Sequence, residues 1–116
     1  MRILVCGGRD FNERERVRWA LSYQQDQYGP FTCVINGGAT GADELGAEWG
    51  RDYHIPVQTY RADWKAFGKF AGPLRNQRMI DEGKPDLIIA FPGGRGTADM
   101  VSKAKKAGIR VVKIAA

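Results

Sequence analysis

The sequence predicts an α/β fold, a Rossmann-like domain with one five-stranded parallel sheet in the order 3-2-1-4-5. Three observations carry this. Short apolar runs alternate with segments of helical spacing every 20 to 30 residues or so, which is the rhythm of strand, crossover helix, strand. The run Leu87 to Phe91 is apolar without interruption, as in a strand buried on both faces. Glycine turns follow the first, second and fourth runs, at Gly7-Gly8, Gly37-Gly38 and Gly93 to Gly96. With that strand order these turns share one end of the sheet, beside the switch point between strands 1 and 4, where ligands bind in open α/β sheets.

The elements follow in order. Ile3 to Cys6 reads as strand 1, with Gly7-Gly8-Arg9-Asp10 as its turn. A helix then starts near Asn12, capped by Asn12 with Glu15 or by Asp10 with Glu13. It shows an apolar face at Val17, Ala20 and Leu21 and stops at Gly29-Pro30. Thr32 to Ile35 is strand 2, leading into Asn36 to Gly41. Thr40 with Asp43 has capping-box spacing, and Ala42, Leu45, Trp49 and Tyr53 fall along one helix face. Pro56 to Tyr60 is a weaker strand 3. Arg61 to Gly72 is the least regular stretch, with Trp64, Phe67 and Phe70 among charges. Pro73 suits the first turn of a helix running to Glu82 and ending at Gly83. After strand 4, Pro92 lacks the N–H a ladder needs. Thr97 is placed as N-cap of a helix from Ala98 to Ala107, and Ile109 to Ile114 is strand 5.

The chain of 116 residues reads as one domain, large enough to bury a single core. Apolar residues make up 43% and charged residues 27%, an ordinary globular balance. No apolar run is long enough to span a membrane and the first residues show no signal-peptide pattern, so the expectation is a cytoplasmic protein without a membrane partner. Cys6 and Cys33 should lie at opposite ends of neighbouring strands, which disfavours a disulfide. The net charge of +5 suits an anionic ligand, but the basic residues are scattered, and nucleic acid is the less favoured partner.

A glycine turn at a helix N-terminus can hold a phosphate on backbone N–H groups. The fourth turn suits this best, since it carries Arg95 and only Asp99 follows, whereas Asp43 and Glu44 occupy the first turn of the helix after strand 2. That second site is better suited to ribose, with Asp43 accepting a hydrogen bond, unless both acids only offset the helix dipole. Arg75 and Arg78, three residues apart on a helix, either clamp an acidic group from the side or form a solvated face. Arg9 and Asp10 line the pocket mouth or pair with each other. Trp64, Phe67 and Phe70 either cover a base or, more commonly for such a cluster, pack in the core. His54 has no Cys or His neighbour at ligand spacing, so neither a metal nor a cofactor is expected. The ligand-binding candidates are thus Gly7, Gly8 and Arg9; Gly37, Gly38, Thr40 and Asp43; Arg75 and Arg78; and Pro92, Gly93, Gly94, Arg95, Gly96 and Thr97.

The combination of GGRDF at Gly7 to Phe11, NGGATGAD at Asn36 to Asp43, RNQRM at Arg75 to Met79 and FPGGRGT at Phe91 to Thr97 resembles the SLOG superfamily of Rossmann-like nucleotide-binding domains. Within it, the chain is most similar to the small stand-alone YspA-like branch. Resemblance to the LOG phosphoribohydrolases, which carry PGGxGTxxE, implies that Gly93, Gly94, Gly96 and Thr97 bind phosphate with Arg75 or Arg78, and it implies a homodimer. The glutamate of that motif is Met100 here, preceded by Asp99. Little phosphoribohydrolase activity is therefore expected, and any N-glycosidic hydrolysis would rest on Asp99 or Asp43. The second loop also resembles the SGxAxGID loop of the Smf DNA-processing proteins, which implies a single-stranded DNA binder as an alternative. The leading expectation is a protein that binds a nucleotide or nucleotide-derived ligand.

Overall fold

The computed structural model describes residues 1–116. The sheet is formed by β1 (Arg2–Cys6), β2 (Cys33–Asn36), β3 (Val57–Thr59), β4 (Leu87–Ala90) and β5 (Arg110–Lys113). All pairings are parallel and the order is β3-β2-β1-β4-β5, as the strand spacing predicts. The helices are α1 (Arg14–Tyr28), α2 (Ala42–Asp52), α3 (Trp64–Phe67), α4 (Ala71–Asp81) and α5 (Arg95–Lys106), with a 3-10 turn at Gly68–Phe70.

Side chains of a strand alternate between the faces, so each central strand feeds two cores. Ile3, Val5, Val34, Leu87 and Ile89 pack with Val17 and Leu21 of α1 and Leu45 and Trp49 of α2. Leu4, Cys6, Cys33, Ile35 and Ile88 face the other way, onto Met79 and Ile80 of α4 and Met100, Val101 and Ala104 of α5. Each such aliphatic side chain stabilises the fold by roughly 1.5–3 kcal/mol on burial. The ion pairs Arg14–Glu48 at 2.9 Å and Arg18–Asp52 at 2.8 Å bridge α1 and α2 on the surface, where such pairs contribute at most about 1 kcal/mol. Arg2, not Cys6, lies opposite Cys33, and both thiols are buried and free.

Helix starts are where the sequence reading needs correction. Helix α5 begins at Arg95 with Gly94 at its N-cap, so Thr97 sits in the first turn and caps nothing. Glycine caps about as well as threonine, and the Pro92-Gly93 turn brings the chain into helical geometry earlier. The expected Thr40–Asp43 capping box is also absent: Gly41 is the N-cap of α2, and both side chains bond elsewhere. Neither Asp10 nor Asn12 caps α1, which starts behind Glu13 without a side-chain cap. Trp64, Phe67 and Phe70 do not enter the core; each is exposed, on a short helix and turn held by Asp63 rather than by burial. Tyr53, expected on the apolar face of α2, is exposed at its end, its ring 5.1 Å from Trp49.

Candidate functional site

Because β1 is central, the loop after it lies between the loops after β2 and β4, and backbone bonds join the three. The Gly8 N–H donates to the Pro92 carbonyl at 2.8 Å. The Gly8 carbonyl accepts from the N–H of Ala42 at 3.2 Å, and the Thr40 hydroxyl donates to the Arg9 carbonyl at 3.1 Å. A side chain at Gly41 would collide with the Gly8 and Arg9 carbonyls, and its φ of +78° is one L-residues avoid. The glycine loops therefore meet at one end of the sheet.

At the junction opens a cavity of about 480 Å³, within the range that holds small-molecule ligands. Gly94 and Gly96 form part of its wall, and a methyl group added to either meets nothing within 4 Å. Neither has a positive φ. Packing thus leaves both positions open to larger residues, and at Gly96, inside the helix, the backbone does too. Glycine there keeps bare backbone at the start of α5 facing the cavity.

The charged groups are held by hydrogen bonds. Buried Asn76 donates to the Gly96 carbonyl at 3.2 Å and to Asp99 Oδ2 at 3.0 Å, and accepts from Arg75 Nε at 2.9 Å. Arg75 Nη1 also donates to the Gly37 carbonyl at 2.6 Å, crossing from α4 to the second loop. Asp43 is buried, and its Oδ2 accepts from the N–H groups of Gly37 at 2.9 Å and Ala39 at 3.3 Å. Its Oδ1 has no protein partner, yet no fully buried side-chain polar atom is left unpaired, so Oδ1 keeps contact with the cavity. Burial pushes the Asp43 carboxyl up to about 6, against the pull of those two N–H groups and of Arg75. Burial works to raise the Asp99 carboxyl too, but hydrogen bonds from Lys103 (2.6 Å) and Asn76, with the charges of Lys103 and Lys106, outweigh it and hold it below its usual range. Asp99 is therefore a fixed anion at neutral pH and has no proton to give. Burial, then the Asp43 charge, pushes Cys6 on the cavity floor up to about 12, so it is not a thiolate nucleophile. Met100 packs in the second core and touches the same cavity.

The predicted site residues divide by place. Gly7, Gly8, Arg9, Asp43 and Arg75 line the cavity together with Gly94, Arg95, Gly96, Thr97 and Asp99. Gly37, Gly38 and Thr40 line a hollow beside it. Pro92 and Gly93 face a groove on the far side of the α5 loop, whose wall they share with Gly94 and Thr97. Arg78 is not brought to the site: it is exposed, paired with Glu82 at 2.9 Å, with its guanidinium over the Tyr60 ring. Arg75 and Arg78 thus form no clamp, because Arg75 reaches inward to Gly37 while Glu82, one turn on, holds Arg78. Arg9 stacks on Trp64 at 5.6 Å from the ring centroid and lines the cavity mouth, with no ion pair to Asp10. Asn76 is a cavity residue the sequence reading missed, although an asparagine between two arginines in RNQRM is a signal that could have found it. Arg61 lines the neighbouring hollow and not this cavity, and nothing local in the sequence marks it. No group of three or more His, Cys, Asp or Glu side chains is placed to hold a metal ion.

The profile of the YspA, cpYpsA-related SLOG family (YAcAr) matches residues 1–67, more than half of the chain. The chain is also 36% identical over 118 aligned residues to the Gene 61 protein of Mycobacterium phage D29, covering 96% of this chain and 94% of that one. The chain belongs to the YspA-related SLOG family. The profile takes in two of this SLOG chain's glycine loops, with Arg9, Asp43, Arg61 and Trp64, and stops before Arg75 and the Gly93 loop. Among solved structures, the structural-genomics protein TM1055 superposes with a TM-score of 0.68 at 20% identity, over 96% of this chain and 72% of that one. DNA processing protein A (DprA) from Streptococcus pneumoniae superposes with a TM-score of 0.53 at 15% identity, over 96% of this chain and 58% of its own. At those identities the two structures show that the SLOG chain shares their fold.

Proposed function

We propose that the protein binds a nucleotide or nucleotide-derived ligand in the 480 Å³ cavity. Phosphate lies on the Gly93 to Thr97 loop, the sugar lies toward Gly37 to Asp43, and Arg75 supplies countercharge. The observation that carries this is Gly96. Gly94 is also accounted for as the N-cap. A glycine inside the first turn of a helix, however, costs up to about 1 kcal/mol against alanine, and neither packing nor φ accounts for it here. Close approach of an anion to the N–H groups at the start of α5 does account for it. Asp43 Oδ1 is available to accept from a sugar hydroxyl. Membership of the SLOG family supports the same class of ligand.

Binding without efficient cleavage follows from what surrounds the sugar. The position of the catalytic glutamate in the LOG motif is an apolar Met100, and Asp99 is tied to Lys103 and Asn76. The homodimer implied by the same resemblance belongs to this proposal and is checked by sedimentation.

The test compares AMP with adenosine by calorimetry, on the parent and on Gly94→Asp. AMP should bind at least tenfold more tightly than adenosine. The variant should lose AMP binding while keeping its melting temperature, since its side chain enters open space. Equal binding of AMP and adenosine would sink the phosphate assignment, and rapid release of adenine from AMP would make the protein a hydrolase instead.

A further inference from the structure

The hollow beside the main cavity has a volume of about 320 Å³ and is lined by three arginines, Arg9, Arg61 and Arg75, and by no acidic residue. It shares Arg9, Ala39, Trp64 and Arg75 with the main cavity, so the two spaces adjoin. None of the three arginines pairs with a carboxylate; the same holds for Arg2, Arg51, Arg95 and Arg110, but Arg9, Arg61 and Arg75 are gathered around one hollow. They are held in place by neutral groups instead. Arg61 Nη1 donates to the Gly38 carbonyl at 3.1 Å, Arg75 to the Gly37 carbonyl and Asn76 Oδ1, and Arg9 lies over Trp64.

Each of these contacts orients a guanidinium while leaving most of its N–H donors unspent. Arg75 is half-buried; burial disfavours its charge, Asp43 relieves this in part, and the nearby charge of Arg9 adds to the strain. Asp43 has already committed Oδ2 to the loop N–H groups. Like charges gathered around a concave space, oriented and unneutralised, suit an anion that none of the protein's own acids supplies.

We propose that this hollow is a second anion subsite, and that the ligand is a small nucleotide with two separated phosphates, one on the α5 loop and one on Arg9, Arg61 and Arg75. This rests on the nucleotide reading above and narrows it, from nucleoside monophosphates to nucleoside bisphosphates or short phosphodiester-linked nucleotides. Arg61 distinguishes the two spaces, because it lines the hollow and not the main cavity.

The experiment measures AMP, adenosine 3′,5′-bisphosphate and the linear dinucleotide pApA by calorimetry, on the parent and on Arg61→Gln. Glutamine keeps a donor for the Gly38 carbonyl and removes the charge. The expected result is that at least one doubly phosphorylated probe binds tenfold or more tightly than AMP. Arg61→Gln should remove that advantage, leave AMP binding within about twofold, and keep the parent's melting temperature. If AMP binds but neither larger probe binds more tightly, the second subsite is wrong and the nucleotide site stands. If none of the three binds, the nucleotide reading fails and this inference fails with it. An oligodeoxythymidine that binds more tightly than pApA, with a salt dependence that steepens with length, would replace it with a nucleic-acid track.

Discussion

Asp43 shows how one side chain serves both fold and site. Its carboxyl is raised from 3.8 to about 6 because burial outweighs the loop N–H groups. Here the sign is opposite to that of a salt-bridged acid. Between pH 4 and 6 the folded state holds a proton that the unfolded state has released, so this group's contribution to stability falls as pH rises through that window. At 1.36 kcal/mol per unit the full change is about 3 kcal/mol. Denaturant melts of the parent and Asp43→Asn should therefore differ by an amount that shifts by about 2.5 kcal/mol between pH 4 and 7, with the parent gaining relative stability toward acid. A pH-independent difference would show that Asp43 titrates normally. The sequence brings Asp43 to the site through its place after NGGATG, but not its bond back to Gly37, because capping rules pair it with Thr40. Arg61 is invisible at this scale: its place beside the Gly38 carbonyl depends on where β3 ends in space, and no local pattern encodes that.

At the scale of elements, the proposed phosphate site rests on α5, and the first turn of that helix decides it. The strand, the glycine turn and the helix are legible in DLIIAFPGGRGT, because an apolar run followed by proline and glycine allows few other structures. The start of the helix is not, because glycine and threonine cap almost equally well. That difference of three residues has a consequence: Gly96 lies inside the helix, where alanine is preferred. Gly96→Ala should raise stability by about 0.5–1 kcal/mol, since the methyl meets nothing. It should also weaken AMP binding, because it covers backbone that faces the cavity. A thermal melt and a titration on one sample check both. A variant that is more stable and binds as before would mean that phosphate does not approach Gly96. The aromatic segment taught the reverse lesson. Trp64, Phe67 and Phe70 cluster in sequence, yet their helix is too short to turn a face to the core, and only Trp64 reaches the site.

Over the whole molecule, the strand order is what makes a site out of three loops. With β1 between β2 and β4, the Gly7-Gly8 turn is pressed between its neighbours. A methyl group at Gly7 would stand 2.6 Å from Ala42 Cβ and 2.9 Å from Phe91 Cβ. Those atoms belong to the start of α2 and to the residue that follows β4, and neither is the far end of a flexible side chain. This turn and the Gly94-Gly96 wall are both glycine, but for opposite reasons, one being crowded by protein and the other open to the cavity. Gly7→Ala should therefore destabilise the fold by about 1–3 kcal/mol, the usual cost of overpacking. For a domain of this size that lowers Tm by about 4 °C or more. Because the same methyl pushes the second and fourth loops apart, AMP binding should also fall below the melting transition, where the chain is still folded. Gly96→Ala is the matched control: its methyl meets nothing, so its fold should lose no stability, and only its binding should suffer. A Gly7→Ala protein that melts and binds like the parent would show that the loops are not joined through β1, and the single converging site would have to be abandoned.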